Sequence, residues 1–168
     1  MISKWYAVYT RSRHEQKAHD RLREKNIEAF LPLVERWSRR KDRRKKILLP
    51  LFPGYLFVRA LLDPYVHLEI LKTKSVVRVL CRDGQPSPIP DEQINAIQVL
   101  MKNGIAVTPY PYLKEGMRVR VVNGPLTGVE GILIKTKPNK DRLVISVDLL
   151  QESVSVEMEN LDVEPLQF

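Results

Sequence analysis

Gly116-Met-Arg-Val-Arg-Val-Val-Asn-Gly-Pro-Leu-Thr-Gly-Val-Glu-Gly131 decides the architecture of the second half of the chain. Arg118 to Val121 alternates polar with apolar residues, the period of a strand with one buried face. Asn123-Gly124-Pro125 ends that run, and Gly124, Gly128 and Gly131 offer turn conformations and close backbone approach that residues with a Cβ resist. Similar short runs follow at Val129 to Lys135, Leu143 to Val147 and Val154 to Met158. Pro138-Asn-Lys-Asp141 and Leu150-Gln-Glu152 separate them. Short strands that close on one another in so few residues imply a small β-barrel, which leaves no open edge. Val119, Val121, Ile132, Ile134, Val144, Val147, Val154 and Val156 are its expected filling. The same glycine punctuation suits a tight hairpin in any small barrel.

Working back towards the N-terminus, Gly104 to Leu113 is uncharged and has two prolines. It reads as a semi-rigid linker. Charge changes sign across it. Residues 1–113 carry 21 Lys and Arg against 11 Asp and Glu, whereas residues 114–168 carry 7 against 9. Two domains with different tasks are therefore expected, at 1–103 and 114–168, joined by 104–113.

The first domain alternates strand and helix signals. Trp5 to Tyr9 is aromatic and β-branched, hence a strand. Residues 13–25 contain no Gly or Pro and form a basic helix whose thin apolar stripe is Ala18 and Leu22. Glu28 to Trp37 reads as a second strand and Lys46 to Ala60 as a third, interrupted by Pro50 and Pro53. Asp63-Pro64 opens a helix with an Asp cap and Pro in its first turn. Ser75 to Cys81 is a further strand, and Asp91 to Met101 an amphipathic helix. The class is α+β, with helices packed on an antiparallel sheet.

Composition excludes several functions. Across 168 residues, 28 Lys and Arg oppose 20 Asp and Glu, and a formal charge of +8 favours a polyanionic partner. Cys81 is the sole cysteine, so no internal disulfide forms. His14, His19, His67 and Cys81 have no metal-ligand spacing, and no catalytic triad or glycine-rich phosphate loop is apparent. No enzyme activity, metal or cofactor is expected. Met1 runs directly into Lys4-Trp5-Tyr6 without a signal-peptide core, and no apolar run is long enough to span a bilayer. A soluble cytoplasmic protein is expected, with no membrane partner.

The stretch from Gly116 to Gly131 resembles the KOW motif, carried by Gly116, Asn123, Gly124, Pro125, Gly128 and Gly131. Trp5-Tyr-Ala-Val-Tyr-Thr10, the basic helix, Leu51-Phe-Pro-Gly-Tyr-Leu-Phe-Val58, Val76-Val-Arg-Val79 and Gly84 to Ile94 resemble, in order, the N-terminal domain of NusG-type transcription factors. Tyr55-Leu-Phe57, the Pro-Ile-Pro-Asp-Glu-Gln-Ile stretch and Ser146 to Glu157 are closer to specialised paralogues of the UpxY and RfaH type, antiterminators of long polysaccharide operons. That resemblance implies a factor that binds the clamp helices of the largest RNA polymerase subunit and promotes processive transcription. A housekeeping NusG coupled to Rho or the ribosome, and a KOW-type RNA-binding or ribosome-associated protein, are the alternatives.

The resemblance places Tyr9, Phe52, Tyr55 and Phe57 on the polymerase-binding surface. Exposed aromatics are a physical mark of such a surface. Tyr55 and Phe57 share one face of their strand and Leu56 and Val58 the other, so one set is core. The Tyr55 face is taken as the partner face. Arg11, Arg13, Lys17 and Arg21, with Thr73 and Lys74, are the expected contacts to the non-template DNA strand in the transcription bubble, and a solvated helix face is the plainer reading of them. Arg36 to Lys46 carries eight basic residues in eleven, among them Arg39, Arg40, Arg43 and Arg44. It reads as a hairpin tip on upstream DNA or simply as a solubilising segment. Leu149, Leu150, Gln151 and Glu152 match the loop through which the KOW domain meets a second protein, such as a small-subunit ribosomal protein or Rho. Their acidic character departs from the basic Phe-Gly-Arg flavour of housekeeping NusG and puts Rho in doubt. The β-branched content of the barrel argues against a switch to helices.

Overall fold

The computed structural model describes residues 2–166 apart from positions 41, 43, 139 and 160. The chain forms two compact units, Met1–Ile89 and Pro90–Phe168. Among the described residues no helix is long and apolar enough to cross a membrane.

The first unit comprises β1 (Lys4–Thr10), α1 (Glu15–Glu24), β2 (Glu28–Phe30), β3 (Leu33–Trp37), β4 (Lys46–Pro50), β5 (Tyr55–Ala60), α2 (Pro64–Leu71), β6 (Val76–Val79), β7 (Cys81–Arg82), β8 (Gln85–Pro86) and β9 (Pro88–Ile89). Its main sheet runs β2-β5-β1-β6, with β9 also paired to β1. Every pairing is antiparallel, and Ala7 stands opposite Phe57, Val8 opposite Leu56 and Tyr9 opposite Tyr55. Directly opposed residues share a face. Val8, Leu56 and Val58 therefore point together into a core completed by Ala18 and Leu22 of α1 and Ile70 of α2. The thin apolar stripe of α1 suffices because only Glu15, Ala18 and Leu22 are buried along it. At Asn26 the backbone turns left-handed (φ 59°) and the helix stops.

Two expected strands are each divided. Residues 28–37 break after Phe30, and Pro32 carbonyl accepts from Leu51 N–H at 2.9 Å where the chain leaves the main sheet. β3 and β4 then pair only with each other and form a separate ribbon. The Asp63 cap forms as expected, its carboxylate accepting from Val66 N–H at 2.7 Å.

The second unit comprises α3 (Asp91–Lys102), β10 (Thr108–Tyr110), β11 (Met117–Val121), β12 (Glu130–Lys137), β13 (Lys140–Val147), β14 (Glu152–Met158) and β15 (Val163–Pro165). The sheet order is β10-β14-β13-β12-β11-β15. Two features differ from the sequence reading. The stretch read as a linker enters the sheet, because Thr108 to Tyr110 pairs with Ser153 to Ser155 and Leu113 N–H donates to Ser153 Oγ at 3.1 Å. Helix α3 groups with this unit, packed on β12 and β13. Gln93 and Asp148 fasten it through a reciprocal pair of hydrogen bonds, 3.0 and 3.2 Å, and Tyr112 donates to the same carboxylate at 3.0 Å.

The register also reassigns the barrel filling. Val119 faces Gly131, and Leu143 and Ile145 face Val156 and Val154, which places these residues on one face. Ile132 and Val144 oppose each other on the other face, with Ile134. Val119, Val121, Val147, Val154 and Val156 thus fill the interior, whereas Ile132 and Val144 are buried outside it, beneath α3. Ile134 is only half-buried. Leu143, Val144 and Ile145 are consecutive and all buried, as a strand covered on both faces requires.

Candidate functional site

Phe52-Pro53-Gly54-Tyr55 is a tight turn: Tyr55 N–H donates to Phe52 carbonyl at 3.0 Å, and Gly54 adopts φ 87°. Pro followed by a left-handed Gly is the chemistry of a type II turn. Three further bonds lock it. Gly54 N–H donates to Glu15 Oε1 at 2.8 Å, while Gly54 carbonyl accepts from Thr10 N–H at 2.8 Å and from Thr10 Oγ1 at 3.3 Å. Glu15 is buried in the first turn of α1, and its role in holding this turn was not apparent from the sequence. A Cβ at residue 54 would stand 3.1 Å from the Tyr9 ring. The turn therefore presses against the ring that β1 supplies.

The expected open patch of four rings is corrected by burial. Phe52 and Phe57 are 1% and 0% exposed. Phe57 packs on Phe30 and Phe52 with centroids 6.1 and 6.0 Å apart, and Phe30 meets Trp5 at 6.3 Å. These rings form a second core on the sheet face away from α1, so neither Phe52 nor Phe57 offers itself to a partner. Tyr9 and Tyr55 remain half-exposed, 5.4 Å apart. Arg78, paired with Tyr9 across β1 and β6, lies over the Tyr9 ring at 5.5 Å. Arg78 belongs to this site although its sequence pattern marks it only as a strand residue, and only the register reveals it.

Next to the tyrosines lies the first basic group. Arg11 N–H donates to Ser75 carbonyl at 2.9 Å, which joins the end of β1 to the loop before β6. His14 Nδ1 lies 3.2 Å from Ser75 Oγ, and Arg21 donates to Lys74 carbonyl and to Ser75 Oγ, both at 3.1 Å. Ser75 is buried with φ 83° and Arg13 adopts φ 61°, so the loops at this corner follow an uncommon path. Arg11, Arg13, Lys17 and Lys74 are exposed and, among the described residues, form no ion pair. Arg21 has a structural duty instead. Thr73 departs from expectation: it is 2% exposed, and its hydroxyl donates to Glu69 carbonyl at 2.9 Å, so it faces no ligand. In the second basic group Arg39, Arg40 and Arg44 are exposed at the end of the β3–β4 ribbon, and Arg43 lies outside the described residues.

In the second unit the glycines of the motif have distinct duties. Gly124 and Gly128 both adopt φ 87°, and Thr127 closes the turn between them with a bond from its hydroxyl to Gly124 carbonyl at 2.6 Å. A Cβ on Gly131 would sit 2.7 Å from Val144 carbonyl, and one on Gly116 2.5 Å from Ile132 Cγ2. Asn123 donates to Asp162 at 3.1 Å, and Pro125 carbonyl accepts from Asn103 of α3 at 3.0 Å. All six residues are accounted for by folding. Leu149 and Leu150 are half-buried, Gln151 turns left-handed (φ 53°), and burial pushes the Glu152 carboxyl above its ordinary range. Among the described residues no three His, Cys, Asp or Glu side chains gather as metal ligands.

A family profile described as "Transcription termination factor nusG" matches residues 3–98, a span ending within α3. Proteins named "Transcription termination/antitermination protein NusG" are similar over nearly the full length. The Escherichia coli (strain K12) protein is 30% identical, with 96% of this chain and 95% of its own covered. That of Thermus thermophilus is 29% identical, with 95% and 96% covered. A solved structure described as "Domain interaction in Thermotoga maritima NusG" is similar in fold, with a TM-score of 0.59 at 20% identity and 98% of each chain covered.

Proposed function

The chain belongs to the NusG family of transcription factors, which are not enzymes, and we propose that it binds RNA polymerase through Tyr9 and Tyr55 and promotes antitermination. The observation that carries this reading is the juxtaposition at one corner of the sheet. A half-exposed tyrosine pair capped by Arg78 adjoins the exposed cations of Arg11, Arg13, Lys17 and Lys74, which form no ion pair among the described residues. The rings offer area for the clamp helices of the largest subunit, and the cations suit the phosphates of the non-template strand in the open bubble. A factor held at both places favours the elongating conformation over the paused one by its differential affinity. Service of a long polysaccharide operon rests on the resemblance to UpxY-type paralogues.

A pull-down tests the reading. Full-length protein is expected to recover polymerase, and Tyr9→Ala with Tyr55→Ala is expected to lose it while remaining folded by circular dichroism and cooperative in thermal unfolding. Retention of polymerase by the double variant overturns the docking surface. The acidic Leu149 to Glu152 loop supports antitermination over Rho recruitment. Measured Rho binding together with enhanced termination would overturn that part, and recovery of ribosomes without polymerase would favour a ribosome-associated role.

A further inference from the structure

We propose that the β3–β4 ribbon is a binding site for single-stranded nucleic acid, with Trp37 as a base-stacking platform. The inference is independent of how the chain docks on polymerase. Register divides the ribbon into two faces. Glu35, Trp37, Lys46 and Leu48 share one face, and Val34, Arg36, Ile47 and Leu49 the other. On the first face Trp37 is 63% exposed and Leu48 61% exposed. They occupy diagonal positions across the strands, a spacing that long side chains bridge.

A large aromatic left in water costs solubility, and its neighbours point to what covers it. Lys46 Nζ lies 5.7 Å from the Trp37 ring centroid and 3.5 Å from Glu35 Oε2, so Lys46 meets the ring while most of it stays exposed among the described residues. The ribbon is closed by the Ser38 N–H bond to Lys45 carbonyl at 2.8 Å, and Arg39, Arg40 and Arg44 extend from that end. An apolar ring bordered by cations matches a ligand with both a π-face and regular negative charge. Unpaired bases on a phosphate backbone satisfy both demands. A duplex offers the charge but keeps its base faces stacked, and an acidic protein surface offers the charge without a regular succession of planar faces.

The sequence supplies a direct readout. The chain has two tryptophans, and Trp5 is 4% exposed. A base stacking on the protein therefore quenches Trp37 selectively. Full-length protein is titrated with fluorescein-labelled oligo(dT) and oligo(U), with a duplex of equal length, and with anionic phosphatidylserine vesicles. Either single strand is expected to quench the emission and to bind more tightly than the duplex; the two strands distinguish DNA from RNA. Trp37→Ala is expected to weaken single-strand binding about tenfold. Trp37→Phe keeps a ring and most of the affinity but removes the quench. Arg39→Ala, Arg40→Ala and Arg44→Ala together are expected to lower the salt slope of log K by about 2. Unchanged affinity in Trp37→Ala, a quench that survives Trp37→Phe, preference for the duplex, or a tryptophan response to vesicles alone each overturns the proposal. Trp37 packs into no core, so its variants remain folded, and an unchanged melting temperature confirms this in each case.

Discussion

Two aromatic side chains, Trp37 and Phe57, lie close in sequence and meet opposite fates. Phe57 sits in a strand of the main sheet, has Leu56 and Val58 pointing into the helix-covered core, and is itself sealed by Phe30 and Phe52. Trp37 sits in a ribbon of two strands, has no layer over its face among the described residues and stays in water. Each strand alternates side chains in the same way. Alternation tells which residues share a face but not whether anything covers it, and that depends on residues far along the chain.

The comparison breaks most decisively under truncation. Phe57→Ala is expected to cost about 3–5 kcal/mol in denaturant unfolding of the first unit, the range for removing a fully buried aromatic. Trp37→Ala, under the same measurement, is expected to change stability by less than about 0.5 kcal/mol, as for an exposed residue without buried partners. Equal losses would erase the distinction. Next in size is Gly54→Ala, which forces a Cβ against the Tyr9 ring in a left-handed turn. A loss of about 1–3 kcal/mol is expected, with the tyrosine pair displaced and polymerase recovery reduced. Glu15→Ala leaves the partly buried Gly54 amide without its acceptor and is expected to cost about 1–2 kcal/mol.

The smallest expected effect lies in the second unit. Burial raises the Glu152 carboxyl pKa, so ionisation is less favourable folded than unfolded. The associated stability is present below the unfolded pKa and is lost as pH rises through the folded one. Glu152→Gln is therefore expected to raise the melting temperature slightly at pH 7, with the gain disappearing in acid. A gain of equal size at low pH would contradict burial as the cause.

Much of this was legible in the residues. Asp63-Pro64 announced its helix because a capping carboxylate and a fixed φ act within one turn. The glycines from 116 to 131 announced a barrel because left-handed turns and close strand contacts exclude a Cβ. The candidate site was legible only in part. Tyr9 and Tyr55 were identified along with Phe52 and Phe57, which proved to be core, and Arg78 and Glu15 were missed. Their roles come from pairings across 39 and 69 residues, and no local pattern encodes those.

Determined by sequence alone were the three helices, the cores of most strands, the turns, the separation of a basic half from a weakly acidic one, and the family motifs. These rest on propensity, period and charge, which act between near neighbours. Tertiary structure alone decided which face of β5 was sealed, that residues 108–110 join the barrel sheet, and that α3 covers its outer face. Each of those outcomes depends on which apolar surface finds a complementary one, a property of the folded arrangement as a whole.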